Sequence, residues 1–306
     1  MPKKSSPAQP GRPGKAALAL PPGFPNVPQY WCRGRGCMHS VADCADGTAR
    51  VLGPSPHARA LRERVRVVAE GNGPILISGE TGTGKEVVAR AVHCATWADS
   101  TTASLVVLGC GALPEDCLCR VLQIKGGGAC PDCRAAHLRA ADVGGTLLLD
   151  EIGELSPLGQ EALLAFLDTS ARGADGNRPM LVIATSNQNL RDRVAQGVFR
   201  DDLYARLAAS EIAVPSLRDR VADIPVLLGH MIEEANHAFG TGVQGIAPQA
   251  LRKALGYSWP GNVRELKNVV LQAVLMARNG RLDDISLDAS ELAVSTPDSG
   301  RKKNDQ

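Results

Sequence analysis

Apolar positions follow two rhythms along this chain, and their alternation predicts its layout. Ala58, Leu61, Val65 and Val68 recur at helical spacing before Gly71-Asn72-Gly73-Pro74 breaks the chain. A short unbroken apolar run, Ile75-Leu76-Ile77, then passes through a glycine-rich turn into the helical pattern Glu86-Val87-Val88-Ala89-Arg90-Ala91-Val92. Three more strand-like runs follow: Leu105-Val106-Val107-Leu108, Thr146-Leu147-Leu148-Leu149, and Met180-Leu181-Val182-Ile183-Ala184-Thr185. Strands alternating with helices predict an α/β fold built on a parallel sheet, with ligands at the carboxyl ends of the strands. From Met1 to about Arg50 no period is sustained and Pro, Gly and Ser abound, so a mostly disordered leader is expected over 1–50.

Composition narrows the classes. With 306 residues and a hydrophobic fraction of 44%, the chain has ample material for a core and suits two domains, one large and one small. A net charge of +2 with scattered basic residues argues against a self-sufficient nucleic-acid binder. Aromatics at 3% give no ladder on which single-stranded bases could stack. The run Ala16-Ala17-Leu18-Ala19-Leu20 is too short for an export signal, and no apolar run approaches the roughly 18 residues of a membrane span. A cytoplasmic protein with no membrane partner is therefore expected, its nine cysteines read as reduced thiols, metal ligands or redox groups before disulfides.

The turn between the first strand and its helix carries the most specific chemistry. In Gly79-Glu80-Thr81-Gly82-Thr83-Gly84-Lys85, the glycines allow a tight turn whose N–H groups, with the helix N-terminus, can face a polyphosphate while Lys85 reaches the outer phosphates. A nucleotide triphosphate is the expected ligand. The residue after the lysine is Glu86 instead of the usual Ser or Thr, so Mg2+ needs another carboxylate. Asp150, at a strand's carboxyl end, can hold the magnesium, and Glu151 can polarise the attacking water. Ser186 and Asn187, ending the next strand, can sense or orient the terminal phosphate.

Four stretches in this order carry a resemblance: Gly79 to Glu86, Gly145 to Leu155, Phe199-Arg200-Asp201-Asp202-Leu203-Tyr204-Ala205-Arg206-Leu207, and Trp259-Pro260-Gly261-Asn262-Val263-Arg264-Glu265-Leu266. Together they resemble the AAA+ central domain of sigma-54-dependent transcriptional activators, the bacterial enhancer-binding proteins, over about Val51 to Arg281. That resemblance implies a P-loop α/β nucleotide-binding subdomain at 51–216, a helical lid at 217–281 and a polar tail at 282–306. The lid helices are read at Ile224 to Ala238, Pro248 to Leu255 and Asn262 to Arg278. It also implies that Arg200 and Arg206 are arginine fingers reaching a neighbouring subunit's nucleotide, that Arg264 is the lid's nucleotide-sensing arginine, and that the subunits form a hexamer-like ring acting on RNA polymerase with sigma-54. A finger needs permanent charge and planar donors, which arginine has.

The pattern departs from the family in the loop before the Asp150 strand. The family's GAFTGA motif, whose Phe and Thr grip the sigma factor, corresponds to Gly126-Gly127-Gly128-Ala129-Cys130-Pro131, so Gly128 and Ala129 replace the aromatic anchor and the hydroxyl. An altered or impaired sigma-54 contact is expected. Two alternatives stand beside it: a non-activating subunit in mixed rings with a related activator, or an ATPase remodelling another client. The family's Asn that restrains the catalytic glutamate corresponds to Gly109. Cys117 and Cys119 with Cys130 and Cys133 could supply zinc ligands or a redox pair, or be reduced thiols; Cys32, Cys37, His39 and Cys44 fit no standard finger. The tail shows no DNA-reading module.

Overall fold

The computed structural model describes residues 51–71, 73–98, 103–112, 145–170, 180–277 and 280–287. The leader, the loop with Gly126 to Pro131 and the cysteines Cys117, Cys119, Cys130 and Cys133 lie outside the described residues, as does most of the tail.

Ser55 caps α1 (Pro56–Ala69): its hydroxyl accepts from Ala58 N at 3.0 Å, and Pro56 stands at the first helical turn, where no N–H is needed. Helix α1 buries Ala58, Leu61, Val65 and Val68, the apolar stripe of the sequence. Strand β1 (Ile75–Ser78), α2 (Lys85–Thr96) and β2 (Ser104–Gly109) follow, then β3 (Gly145–Asp150), α3 (Pro157–Ser170) and β4 (Leu181–Ser186). Two short helices, α4 (Leu190–Ala195) and α5 (Asp201–Leu207), lead to β5 (Glu211–Ala213), a strand too short and mixed to stand out in the apolar pattern.

The five strands form one parallel sheet in the order β2-β3-β4-β1-β5. Successive side chains of a strand point to opposite faces. Ile75, Ile77, Leu148 and Ile183 therefore pack with α1 and α2, while Leu76, Leu147, Leu149 and Val182 pack with α3 and α5 through Leu163, Leu167, Phe199 and Leu203. Because both faces are covered, the central strands read as continuous apolar runs.

Beyond a kinked 3₁₀ stretch at Leu217–Asp223, the lid consists of α6 (Ile224–Phe239), α7 (Pro248–Gly256) and α8 (Asn262–Met276), with β6 (Gly245–Ile246) paired in parallel to β7 (Arg281–Leu282). Its core centres on Trp259, fully buried, whose indole N–H donates to Ala254 O at 2.8 Å and whose ring meets Tyr257 edge-on. Leu282 and Ile285 are buried in the same cluster and Leu287 packs on it, so the packed chain runs past the expected lid end at Arg281. The pairing of β7 with β6 holds this segment down, a contact between distant residues that local pattern does not reveal.

The lid is pinned to the start of the α/β unit. Asp223, with no exposed surface, accepts from Ser55 N and Ser55 Oγ, each at 2.8 Å, and Arg62 donates to the carbonyls of Val51 and Gly53 at 2.7 and 3.0 Å. Among the described residues no helix is long and apolar enough to cross a membrane.

Candidate nucleotide site

The turn between β1 and α2 closes on itself around Lys85. Gly79, Gly82 and Gly84 adopt positive φ values of 155°, 80° and 100°. At Gly82 the reason is also steric, since a Cβ would stand 2.3 Å from Gly261 O in the lid. Thr83 is buried and its hydroxyl donates to Glu80 O at 2.8 Å, while Gly79 N donates to Ser186 O at 3.1 Å and ties the turn to the end of β4.

Lys85 is 7% exposed, and its ammonium lies 3.0 Å from Gly79 O and 3.2 Å from Glu151 Oε1. The sheet order explains the meeting: β4 alone separates β1 from β3, so the ends of these strands share one edge. Glu151 stands at φ 56°, a left-handed conformation uncommon for a side chain of this size and frequent at functional sites. Its other oxygen accepts from Asn187 N at 2.8 Å, and Asn187 Nδ2 donates to Thr81 Oγ1 at 3.1 Å. Asp150, Glu151, Lys85, Thr81 and Asn187 are thus brought together as the sequence predicts.

Other expected site residues are placed differently. Ser186 is buried and its hydroxyl is taken up by Gln188, donating to the carbonyl at 2.9 Å and accepting from the N–H at 3.1 Å, so it closes a local turn. Glu86 turns to Arg90 one helical turn on, along the exposed side of α2, away from Lys85 and Asp150. Arg200 and Arg206 are exposed and pair with Asp202 and Asp168 of their own neighbourhood. Asp202 holds the Arg200 guanidinium above its ordinary pKa, and in return Arg200 lowers the Asp202 carboxyl. Gly109 is exposed and is the register partner of Asp150, with nothing within 4 Å of a would-be Cβ.

The lid closes over the turn through Glu80 and Arg264, which the motifs single out, and through Asn262, Arg218 and Arg220, to which motif reading gives no role. Glu80 forms a two-pronged ion pair with Arg218 and accepts from Asn262 Nδ2 at 3.1 Å. These partners, Arg218 first, hold its carboxyl down from 4.5 to about 2. Asn262, fully buried at φ 54°, also donates to Thr81 O at 3.1 Å and accepts from Leu217 N at 2.8 Å. Arg264 N donates to Gly82 O at 3.2 Å, which puts the expected lid arginine beside the turn. Arg220, 6% exposed, donates to Thr83 O at 2.7 Å; burial lowers its pKa, and its Nε has no hydrogen-bond partner among the described residues. For Arg218, Arg220 and Asn262 local pattern carried little signal, since the partner of a polar side chain is decided only once the fold places it.

Beside Thr83 and Gly84 an apolar groove of about 190 Å³ opens between the two units, walled by Val51, Leu52, Val88, Leu227, Met231 and Val263. That volume is below the range of whole drug-sized pockets and suits one flat ring system. Cys94 and Cys110 are buried and not joined in a disulfide; burial first, then the charges of Asp150, Glu154 and Glu151, push the Cys110 thiol up to about 12. Among the described residues no group of three or more His, Cys, Asp or Glu gathers as a metal cluster.

Residues 51–213 match the family model described as the sigma-54 interaction domain, and residues 218–304 match the AAA+ ATPase lid domain. The anaerobic nitric oxide reductase transcription regulator NorR of Citrobacter koseri is 39% identical over 255 residues, 80% of this chain and 50% of that protein. The transcriptional regulatory protein ZraR of Klebsiella oxytoca is 40% identical over 74% of this chain and 52% of that protein. The crystal structure of NtrX from Brucella abortus in complex with ATP superposes with a TM-score of 0.64 at 27% identity, over 83% of this chain and 57% of that one. The chain spans about half the length of the curated relatives it matches. With more than half its length matched by that first model, the chain belongs to the sigma-54 interaction domain family, a P-loop α/β unit followed by an AAA+ lid.

Proposed function

We propose that this chain is an ATP-hydrolysing, ring-forming transcription regulator of the sigma-54 activator type. The observation that carries the reading is the buried Lys85 ammonium at the glycine turn, in direct contact with Glu151 at 3.2 Å, because it places a phosphate-binding cation and a water-activating carboxylate side by side at the strand ends. The apolar groove beside Gly84 takes the purine ring, and Arg220, with its partnerless Nε, offers a donor to the nucleotide's sugar or phosphate oxygens. The turn's N–H groups and Lys85 receive the β- and γ-phosphates. As the terminal phosphate takes over Lys85, Glu151 loses its ion pair and is free to orient a water and accept its proton. Asn187, on the Glu151 carboxylate and on Thr81, links that carboxylate to the loop.

Asp150 would supply the hard carboxylate oxygen that suits magnesium. When bound, the cation neutralises charge on the phosphates. Arg200 and Arg206 reach the neighbouring subunit's nucleotide after leaving Asp202 and Asp168, and Arg264 reports nucleotide to the lid. Gly128 and Ala129, in place of an aromatic and a hydroxyl, favour an altered contact with the sigma factor. The same substitution supports a second reading, a subunit that joins rings of a related activator without gripping the polymerase.

ATP turnover measured against protein concentration, for the natural sequence and for Glu151→Ala and Arg206→Ala, tests both. Turnover rising steeply with concentration and lost in both variants is expected. Bound nucleotide with no turnover at any concentration would reject the self-sufficient ATPase in favour of the mixed ring.

A further inference from the structure

We infer that Thr185 is a positioning residue that sets Asp150 and Glu151 for the reaction; the inference rests on the ATPase reading above. Thr185 lies on β4, the middle strand of the sheet, and has no exposed surface. Its hydroxyl meets two groups of the neighbouring strand end: Asp150 Oδ1 at 2.6 Å and Glu151 N at 3.1 Å. Their chemistry fixes the direction of both bonds. An amide N–H can only donate, so the hydroxyl accepts there, and its own proton must go to the carboxylate. The bond to Asp150 is short and charge-assisted. A β-branched side chain in a strand has few χ1 choices, so the hydroxyl is aimed before any ligand arrives.

Both contacts bear on the proposed chemistry. With Oδ1 committed to Thr185, Oδ2 is the Asp150 oxygen left for a cation among the described contacts. Holding Glu151 N fixes the peptide plane between Asp150 and Glu151, at the residue whose left-handed backbone costs on its own and must be held by its surroundings. The other side of β3 offers no such hold: the register partner of Asp150 is Gly109, which has no side chain. The strand end is therefore fixed from the β4 side, through the Thr185 hydroxyl and the Asn187 N–H, and from α2 through the Lys85 ammonium on Glu151. Such a hydroxyl differs from a buried polar group that merely finds a partner, because both its contacts are to the two residues that would carry the reaction.

The test compares Thr185→Val, which keeps shape and removes the hydroxyl, with Thr185→Ser, which keeps the hydroxyl, in the full chain after a thermal-melt check of folding. Two quantities are read: steady-state ATP turnover, and the Mg2+ concentration at which a fluorescent ADP analogue is half-bound. For T185V, kcat should fall about 10- to 100-fold, the equivalent of one hydrogen bond to a charged group, with KM for ATP within about threefold. Its Mg2+ requirement should rise by roughly tenfold. T185S should stay within about threefold of the natural chain in both. If T185V fails to fold, Thr185→Ala carries the same two readouts. A hydroxyl-free variant that matches the natural chain in both overturns the inference, as does a T185S as damaged as T185V, which would make packing the cause. If the natural chain itself does not turn over ATP, the ATPase reading fails, and the Mg2+ titration alone still decides what Thr185 does to Asp150.

Discussion

Gly82 shows how much one backbone position can carry. It sits at φ 80°, and a Cβ there would meet the carbonyl of Gly261 at 2.3 Å, so the residue is required both by its own conformation and by the lid above it. Gly82→Ala should destabilise the chain by at least the 1–3 kcal/mol of a strained backbone, roughly, and weaken nucleotide binding as the lid is pushed off. Thermal unfolding and ADP affinity measured on the same variant check this. Asn262 is the complementary case on the lid side: one buried amide serves Leu217, Glu80 and Thr81. Its replacement by Ala removes three hydrogen bonds at about 1 kcal/mol each. Asn262→Ala should therefore cost about 3 kcal/mol in denaturant unfolding.

At the scale of elements, the joint between the glycine turn and the lid is electrostatic on its outside and apolar within. The ion pair of Glu80 with Arg218 is about half exposed and contributes little at high salt. It nonetheless has a signature in pH. The folded pKa of Glu80 is depressed from 4.5 to about 2, so its contribution is complete above 4.5 and is lost as pH falls from 4.5 toward about 2. Melting temperatures of the natural chain and of Glu80→Gln should accordingly differ at neutral pH and converge at the acid end. A gap that persists unchanged to the acid limit would show that Arg218 does not hold this carboxyl. Inside the lid the decisive packing is that of Trp259, fully buried among α6, α7 and α8. Trp259→Ala should cost about 3–5 kcal/mol and release the lid before the sheet.

At the scale of the whole molecule, the site within one chain holds a candidate phosphate-binding cation, a candidate base and a candidate metal ligand, while the two arginines of the Phe199 to Leu207 motif rest on Asp202 and Asp168. If they complete a neighbour's site, two inactive variants should rescue each other. A Glu151→Ala subunit still offers Arg206, and an Arg206→Ala subunit still offers Glu151. Mixing them should restore a fraction of the turnover that each lacks alone, and the fraction should vary with mixing ratio. Continued silence at all ratios would place the arginines elsewhere in the mechanism.

The sequence by itself determined the elements whose cause is local. Apolar runs named four of the five strands, helical spacing found α1, the family resemblance named the lid helices, and the glycines with Lys85 named the phosphate turn. Asp150 and Glu151 were legible because a strand end in a parallel sheet is where a ligand must lie. Only the tertiary structure decided what depends on partners distant in the chain. It committed the Ser186 hydroxyl to Gln188, turned Glu86 toward Arg90, and added β5 and β7, short strands that are held by their neighbours more than by their own pattern. It also brought Thr185 to Asp150, and Asn262 and Arg218 to Glu80. The physical reason is that a buried polar side chain must find a hydrogen-bond partner, and the fold alone determines which one is within reach.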